Sequence, residues 1–526
     1  MNNNYDGRDF KFDYIVVGTG PSGAVVAKTL SDDRNTSVLV LEAGENNDMD
    51  WPIMDSTFPV FNMFPKYFWQ GRTFPQKHVN NKSFDWTTGR LSGGGSSVNN
   101  QQYVRPTFRY LEKWEQFAGP LWSPDKAILS FIELENFNGI TDNPGVHGYK
   151  GPIDIRQAPR NVPRSTKKFV TAIEQATGYE EILDYNNPNT PIGPFERWQL
   201  SQKPNGLRES SSTALLNLTV MTPEGIGVNG RKLRVLYKST ALKIIFKNKT
   251  AVGVEFLREG ICQRAFASKK VIICAGINSA QLLLLSGIGP EEELKKNNIP
   301  LVFDNPSLGN NLTNHTFNTA TMTMNPSDAN ELLQDPYSLF SGEAFLPIPL
   351  PDANKNTRGV RLIGRYSNGN FNILIQDLQT FSRGFIMLQN NDPLKVAHVN
   401  EQILSSPIDL EVIKSIYQIY IKYIAKKLNL IDSTYQLISP REDVLNNDSL
   451  LEEFIRSNMT HSYHQQGSLR MAPLENCGVV NSQGEVYGVK NLIVADASIL
   501  PFVSDGPTTA FAYLVGYTIA KKLKGQ

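Results

Sequence analysis

The glycines of Gly18-Thr19-Gly20-Pro21-Ser22-Gly23, followed 19 residues later by Glu42, have types and a spacing that could do chemistry. In such a run the first glycine permits a tight turn, the second lets the backbone approach a pyrophosphate, and the third lets helix and strand pack closely. A helix beginning there turns unpaired N–H groups toward the phosphates. Glu42 would accept a ribose hydroxyl and repel a 2′-phosphate, which disfavours an NADP-type ligand. Six histidines are candidate proton acceptors, since imidazole with a pKa near about 6.5 is largely neutral at pH 7. His461 and His464 lie three residues apart, but no carboxylate or cysteine completes a ligand set beside them, so no metal is expected. His78, His147 and His398 have no supporting context and read as solvated or structural.

These residues need elements to position them. The β-branched run from Phe12 to Gly18 reads as a buried parallel strand, Ala24 to Leu30 as a helix, and Ser37 to Leu41 as a second strand closing on Glu42. Residues 89–100, GRLSGGGSSVNN, lie between aromatic, ordered stretches and read as a loop whose backbone touches a flat ligand; the alternative is a linker. Val271 to Pro290 reads as strand, glycine turn and apolar helix, and the pattern returns with Leu492 to Ala495, Asp496 and a helix from Ala510 to Leu523. Between them, short strand-like segments (Phe371 to Ile375, Phe385 to Leu388) and a helical stretch (Leu410 to Leu428) suggest a mostly antiparallel sheet with helices. The expected fold is α/β: a Rossmann-like dinucleotide domain from residues 1–155, 228–318 and 457–526, with an inserted α+β substrate domain from 156–227 and 319–456.

Composition narrows the class. Fifty-two Lys+Arg against 51 Asp+Glu leave a formal charge of +1, without the basic stripe that nucleic-acid binding requires. No run approaches the length of a membrane span, and the polar start lacks a signal-peptide core, so an intracellular, cytoplasmic protein is expected. Cys262, Cys274 and Cys477 are too scattered for a disulfide framework and read as small buried hydrophobes.

Five segments in order resemble the glucose-methanol-choline (GMC) oxidoreductase family: Gly18 to Gly23 with Glu42; Gly89 to Asn99; Ala275-Gly276 through Gly289-Pro290; Gly309 to His315; and His464 to Met471 followed by Asp496-Ala497-Ser498. The resemblance covers essentially the whole chain. It implies extended FAD with its adenosine and pyrophosphate on Gly18, Thr19, Gly20, Pro21, Ser22, Gly23, Glu42 and Ala43, and its flavin on the loop of Arg90, Gly93, Gly94, Ser96, Asn99 and Asn100. Leu242, Ala275, Gly276, Asp496, Ala497 and Thr508 complete the implied contacts, with Asp496 at the ribityl or pyrophosphate part. Some members attach flavin through a histidine in this loop; Val98 stands at that position, so FAD is expected to be non-covalent. The implied reaction takes an alcohol to an aldehyde or ketone, with His464 as base, hydride passing to flavin N5, and dioxygen or another acceptor restoring the cofactor.

One departure matters. Where many members carry a second His or Asn, this chain has Gly506 or Pro507. Asp505 or Thr508 could substitute, although Asp505 could equally cap the helix that follows. The gap keeps two rivals open, a hydroxynitrile-lyase-like enzyme with non-redox FAD and an FAD-binding protein without turnover. His315 reads as a buried histidine bonded to backbone, and His461 as a surface or supporting histidine. Phe340, Phe345, Phe381 and Phe385 suggest an apolar or aryl alcohol if they line the pocket, and simply core if they do not.

Overall fold

Uninterrupted apolar runs such as Tyr14 to Val17 and Val38 to Leu41 need cover on both sheet faces. The computed structural model, which describes residues 5–57, 64–334 and 340–525, buries them that way. Strand Tyr5–Val17 lies parallel between Val38–Leu41 and Ile261–Ile273, with Val17 paired to both Leu41 and Ile273. Leu233–Leu236 adds in parallel beyond Val38–Leu41, and Leu492–Val494 beside Ile261–Ile273, pairing Val494 with Ile273. An antiparallel meander, Ser239–Lys247 and Thr250–Arg258, completes seven strands. This register brings the carboxyl ends of four strands into line, and Gly18, Glu42, Cys274 and Ala495 follow directly from them. Ligands of open α/β sheets bind at such strand ends.

Two helices of that layer come from opposite ends of the chain. Pro21–Ser31 packs on Thr509–Leu523, where the Ser22 hydroxyl donates to the Ala512 carbonyl at 2.7 Å. A side chain at Gly516 would meet the Ser22 carbonyl at 2.6 Å, which fixes the closeness of the crossing.

The second sheet is antiparallel throughout: Leu437–Ser439, Thr316–Met322, Asn370–Asp377, Val360–Ser367, Phe340–Leu346 and Gly193–Phe195, with Thr460–His461 also on Thr316–Met322. One face packs on the helix Arg164–Thr177 and on a long helix running from Pro407–Ser415 through a π-helical turn, Ile416–Ile421, into Lys422–Ile431. Each of the two sheets has its own hydrophobic core. Ala214, Leu215, Leu216, Val220 and Met221 pack in the core of the parallel sheet, as do Ile386, Leu388, Ala397 and Val399. Cys262 and Cys274 are buried, but Cys477 is exposed, at the end of the short surface turn Leu474–Asn476, where it takes a left-handed conformation (φ 62°). Among the described residues no helix is long and apolar enough to cross a membrane.

Candidate active site

The glycine turn has the geometry its residue types require. Gly18 has φ +101°, and a Cβ there would lie 2.6 Å from the Cys274 carbonyl; at Gly23 it would lie 2.1 Å from the Gly18 carbonyl. At Gly20, Gly95 and Gly276 a Cβ would meet no protein atom within 4 Å, and all three line a cavity of about 190 Å³ at the strand ends. Small residues with nothing packed on them form a cradle for a group approaching along the backbone. The helix Pro21–Ser31 has no capping side chain, so its first N–H groups remain free for an anion.

Of the residues expected to hold the cofactor, Gly18, Thr19, Gly20, Pro21, Ser22, Glu42, Ala43, Gly94, Ala275, Gly276, Asp496 and Ala497 line this cavity. Burial pushes the Glu42 carboxyl up, while three donors oppose it: Thr19 Oγ1 (2.6 Å), the Thr19 amide (3.0 Å) and the Gly44 amide (2.8 Å). Asp496 braces two loops, accepting from the Gly276 amide (2.9 Å), Ser279 Oγ (2.6 Å) and the Ser498 amide (2.9 Å). Leu242 is buried but does not line the cavity; Ser239, Thr240 and Ala241, just before it on the same strand, do. Arg90 lies instead over the Trp69 ring, 4.6 Å from its centroid, and Trp69 lines the cavity. Pro393, Lys395 and Val396 also line it, held by Gln281, whose Nε2 donates to the Lys395 carbonyl (2.7 Å) and whose Oε1 accepts from the Ala397 amide (3.0 Å). Nothing in residues 393–396 marked them in sequence.

The glycine-serine loop continues beyond this cavity. The Gly93 amide donates to Thr19 Oγ1 (3.2 Å), Ser96 Oγ receives the Ser211 amide (2.9 Å), and Asn99 Nδ2 donates to Thr509 Oγ1 (3.1 Å). Asn100 is exposed, and Val98 is packed with Ile53, Tyr67, Phe68 and Leu91.

His464 is half-buried, its amide donating to Asn314 Oδ1 at 3.0 Å. Its Nδ1 lies 2.9 Å from His315 Nδ1, and His315 Nε2 lies 2.8 Å from the Ser504 carbonyl. A carbonyl only accepts, so His315 Nε2 carries a proton. Burial pulls the His315 pKa down to about 4, so the ring is neutral and its Nδ1 accepts. His464 Nδ1 must then donate, leaving the lone pair of His464 on Nε2. Burial, His315 and the Arg361 guanidinium hold His464 well below the ordinary histidine range. The sequence identified His315 as backbone-bonded and missed its second bond. His461 is not at the surface: it is buried, 3.1 Å from Glu401 and stacked on Phe84.

Asp505, one of the two residues that could have substituted for the missing partner, is engaged elsewhere. Asp505 accepts from the Thr107 amide (3.2 Å) and from the Thr107 hydroxyl, bracing the start of helix Phe108–Ala118 rather than of the helix that follows it. Gly506 has no room for a side chain, because its Cβ would meet Val104 Cγ1 at 2.7 Å. Thr508 is half-buried and makes no capping bond; the adjacent Thr509 meets Asn99. Phe345 belongs to a core with Tyr185 and Phe195, Phe381 is exposed, Phe385 leans on Phe74, and the Phe340 side chain lies outside the described residues. The sheet carries a polar cluster instead. Arg361 pairs with Glu343 (2.5 Å) and donates to Gln376 Oε1 (3.1 Å), and Gln102 Nε2 also donates to Glu343 (3.0 Å).

A family model described as GMC oxidoreductase matches residues 12–317 and 380–516 in two parts. An alcohol dehydrogenase [acceptor] of Pseudomonas putida is 29% identical over 97% of this chain and 95% of its own. An oxygen-dependent choline dehydrogenase of Cronobacter sakazakii is 27% identical over 98% and 95%. The solved pyridoxine 4-oxidase from Mesorbium loti superposes with a TM-score of 0.86 at 22% identity, covering 98% of this chain and 99% of that one.

Proposed function

Since the chain belongs to the GMC oxidoreductase family, we propose that it is an FAD-dependent enzyme that oxidises an alcohol CH–OH group to an aldehyde or ketone, with His464 as its base. Bound FAD supplies the hydride acceptor at N5. Gly18 to Ser22, Gly276 and Asp496 would hold its pyrophosphate and ribityl parts, Glu42 its ribose, and Gly93 to Asn99 its flavin. The open positions at Gly20, Gly95 and Gly276 support that fit.

One observation carries the base assignment. The Ser504 carbonyl fixes the His315 proton, His315 fixes the His464 proton, and Nε2 of His464 is left with a lone pair. Nε2 takes the hydroxyl proton while His315 holds the ring orientation and tautomer, the part an orienting group plays for any imidazole base. Thr508, with its hydroxyl uncommitted among the described residues, is the candidate to position the substrate oxygen.

Arg361 helps to keep both histidines neutral, although its own charge is paired with Glu343. Dioxygen or another acceptor would restore the cofactor. Three unpaired cysteines support a reducing, cytoplasmic setting, and the near-neutral charge supports small-molecule rather than nucleic-acid partners. Anaerobic mixing of the FAD-loaded protein with a panel of primary and secondary alcohols tests the reading. Bleaching of the flavin band with carbonyl product supports it; product without bleaching would make the enzyme a lyase.

A further inference from the structure

Beneath the glycine-serine loop lies a buried cation that the reaction above does not use. Arg208 is 4% exposed. Its Nη1 donates to the Asn99 carbonyl (2.7 Å), Asn99 Oδ1 (3.2 Å) and the Ser96 carbonyl (3.3 Å), and its Nε to the Ile53 carbonyl (3.0 Å). All four acceptors are neutral, and among the described residues no carboxylate pairs with the guanidinium. Asp55 acts on it only at a distance, and the adjacent Glu209 receives the Thr213 hydroxyl instead. Buried arginines ordinarily come with a carboxylate, because an unpaired charge is costly to desolvate. A neutral amide could make several of these loop contacts, so a retained, uncompensated charge needs another reason.

We propose that Arg208 is the resident counter-charge for reduced flavin, set behind Ser96 to Asn99 to meet negative charge arriving on the cofactor. The inference rests on the FAD reading above and on the loop carrying the flavin. In the reaction the substrate C–H bond breaks with its electron pair and an N5–H bond forms. The hydroxyl proton passes to His464 Nε2, and the remaining C–O unit becomes the carbonyl. Cofactor plus hydride carries one more negative charge than before, and His464 one more positive charge. A fixed cation in water-poor surroundings favours the reduced cofactor without reorganising.

The test is the midpoint potential of bound FAD at pH 7, by equilibration with reference dyes, in wild-type, Arg208→Gln and Arg208→Lys holoproteins of measured FAD content. In R208Q the potential should fall by at least about 30 mV, a tenfold change in a two-electron equilibrium. R208K, which keeps the charge but not the fork, should hold the wild-type value. An R208Q potential equal to wild type overturns the proposal. So does a fall of about 30 mV or more in R208K, which would make the residue a loop clamp; if R208Q yields no holoprotein, Arg208→Met supplies the neutral comparison. A wild-type protein that takes up no FAD overturns the cofactor reading, and this inference with it.

Discussion

His464 and His315 are joined nitrogen to nitrogen, Nδ1 to Nδ1 at 2.9 Å, and the Ser504 carbonyl beyond His315 sets the direction of both protons. His464→Ala should therefore bind FAD normally and lose flavin reduction by about 10² to 10⁴-fold, the usual worth of a positioned general base. His315→Ala should lose about tenfold or more, because the base remains but its tautomer is no longer imposed. Single-turnover flavin bleaching under anaerobic conditions measures both, and undiminished reduction in H464A would remove the base assignment.

The pH dependence follows from the same pair. As the proposed base His464 would work deprotonated, and burial first, then His315 and Arg361, lower its pKa. Flavin reduction should thus hold its full rate through pH 6.5 and fall only at more acid pH, as His464 takes up a proton. Removing both members of the Arg361–Glu343 pair, as Arg361→Gln with Glu343→Gln, withdraws one depressing charge without stranding the other. The acid limb should then move to higher pH; a limb that stays put would show that Arg361 does not act on the base.

Two glycines of one turn should fail in different ways. Gly20 has φ −60° and open space at its Cβ, so Gly20→Val should fold with an unchanged unfolding midpoint and lose FAD. Gly23→Ala would put Cβ 2.1 Å from the Gly18 carbonyl and should cost about 1–3 kcal/mol of stability or more. Flavin content after purification, paired with thermal unfolding, separates the two.

Asp377 offers a stability test away from the site. Burial, then the neighbouring Asp409, push its carboxyl up to about 8 from an ordinary value of 3.8. The folded protein therefore holds this proton more tightly than the unfolded chain. That contribution is full below the unfolded pKa and is lost as pH rises through the folded one. Asp377→Asn mimics the protonated group, so its melting temperature should fall less than that of the wild type between pH 6 and 9.

The parts that could be read without the structure are those written locally. Gly18, Gly20, Gly23 and Glu42 sit in one strand-turn-helix-strand unit, which their spacing alone is enough to predict. Asp505 was ambiguous because a carboxylate before a helix looks like a cap, and only the fold brings Thr107 to it. Arg208 and His315 were opaque for a related reason: their partners lie 109 and 149 residues away in sequence. Phe345 illustrates the converse, since an aromatic in an inserted sheet fits a core as well as a pocket, and its neighbours decide.

The pairing of Ser22 with Ala512, and of Gly276 with Asp496, means that the cleft at the strand ends is walled by residues far apart along the chain. A ribosome delivers the glycine turn some 490 residues before the helix that closes on it. Until that helix is made, the turn, the first strands and their exposed edges must be kept from aggregating, and a cofactor in the cleft would have to wait for it.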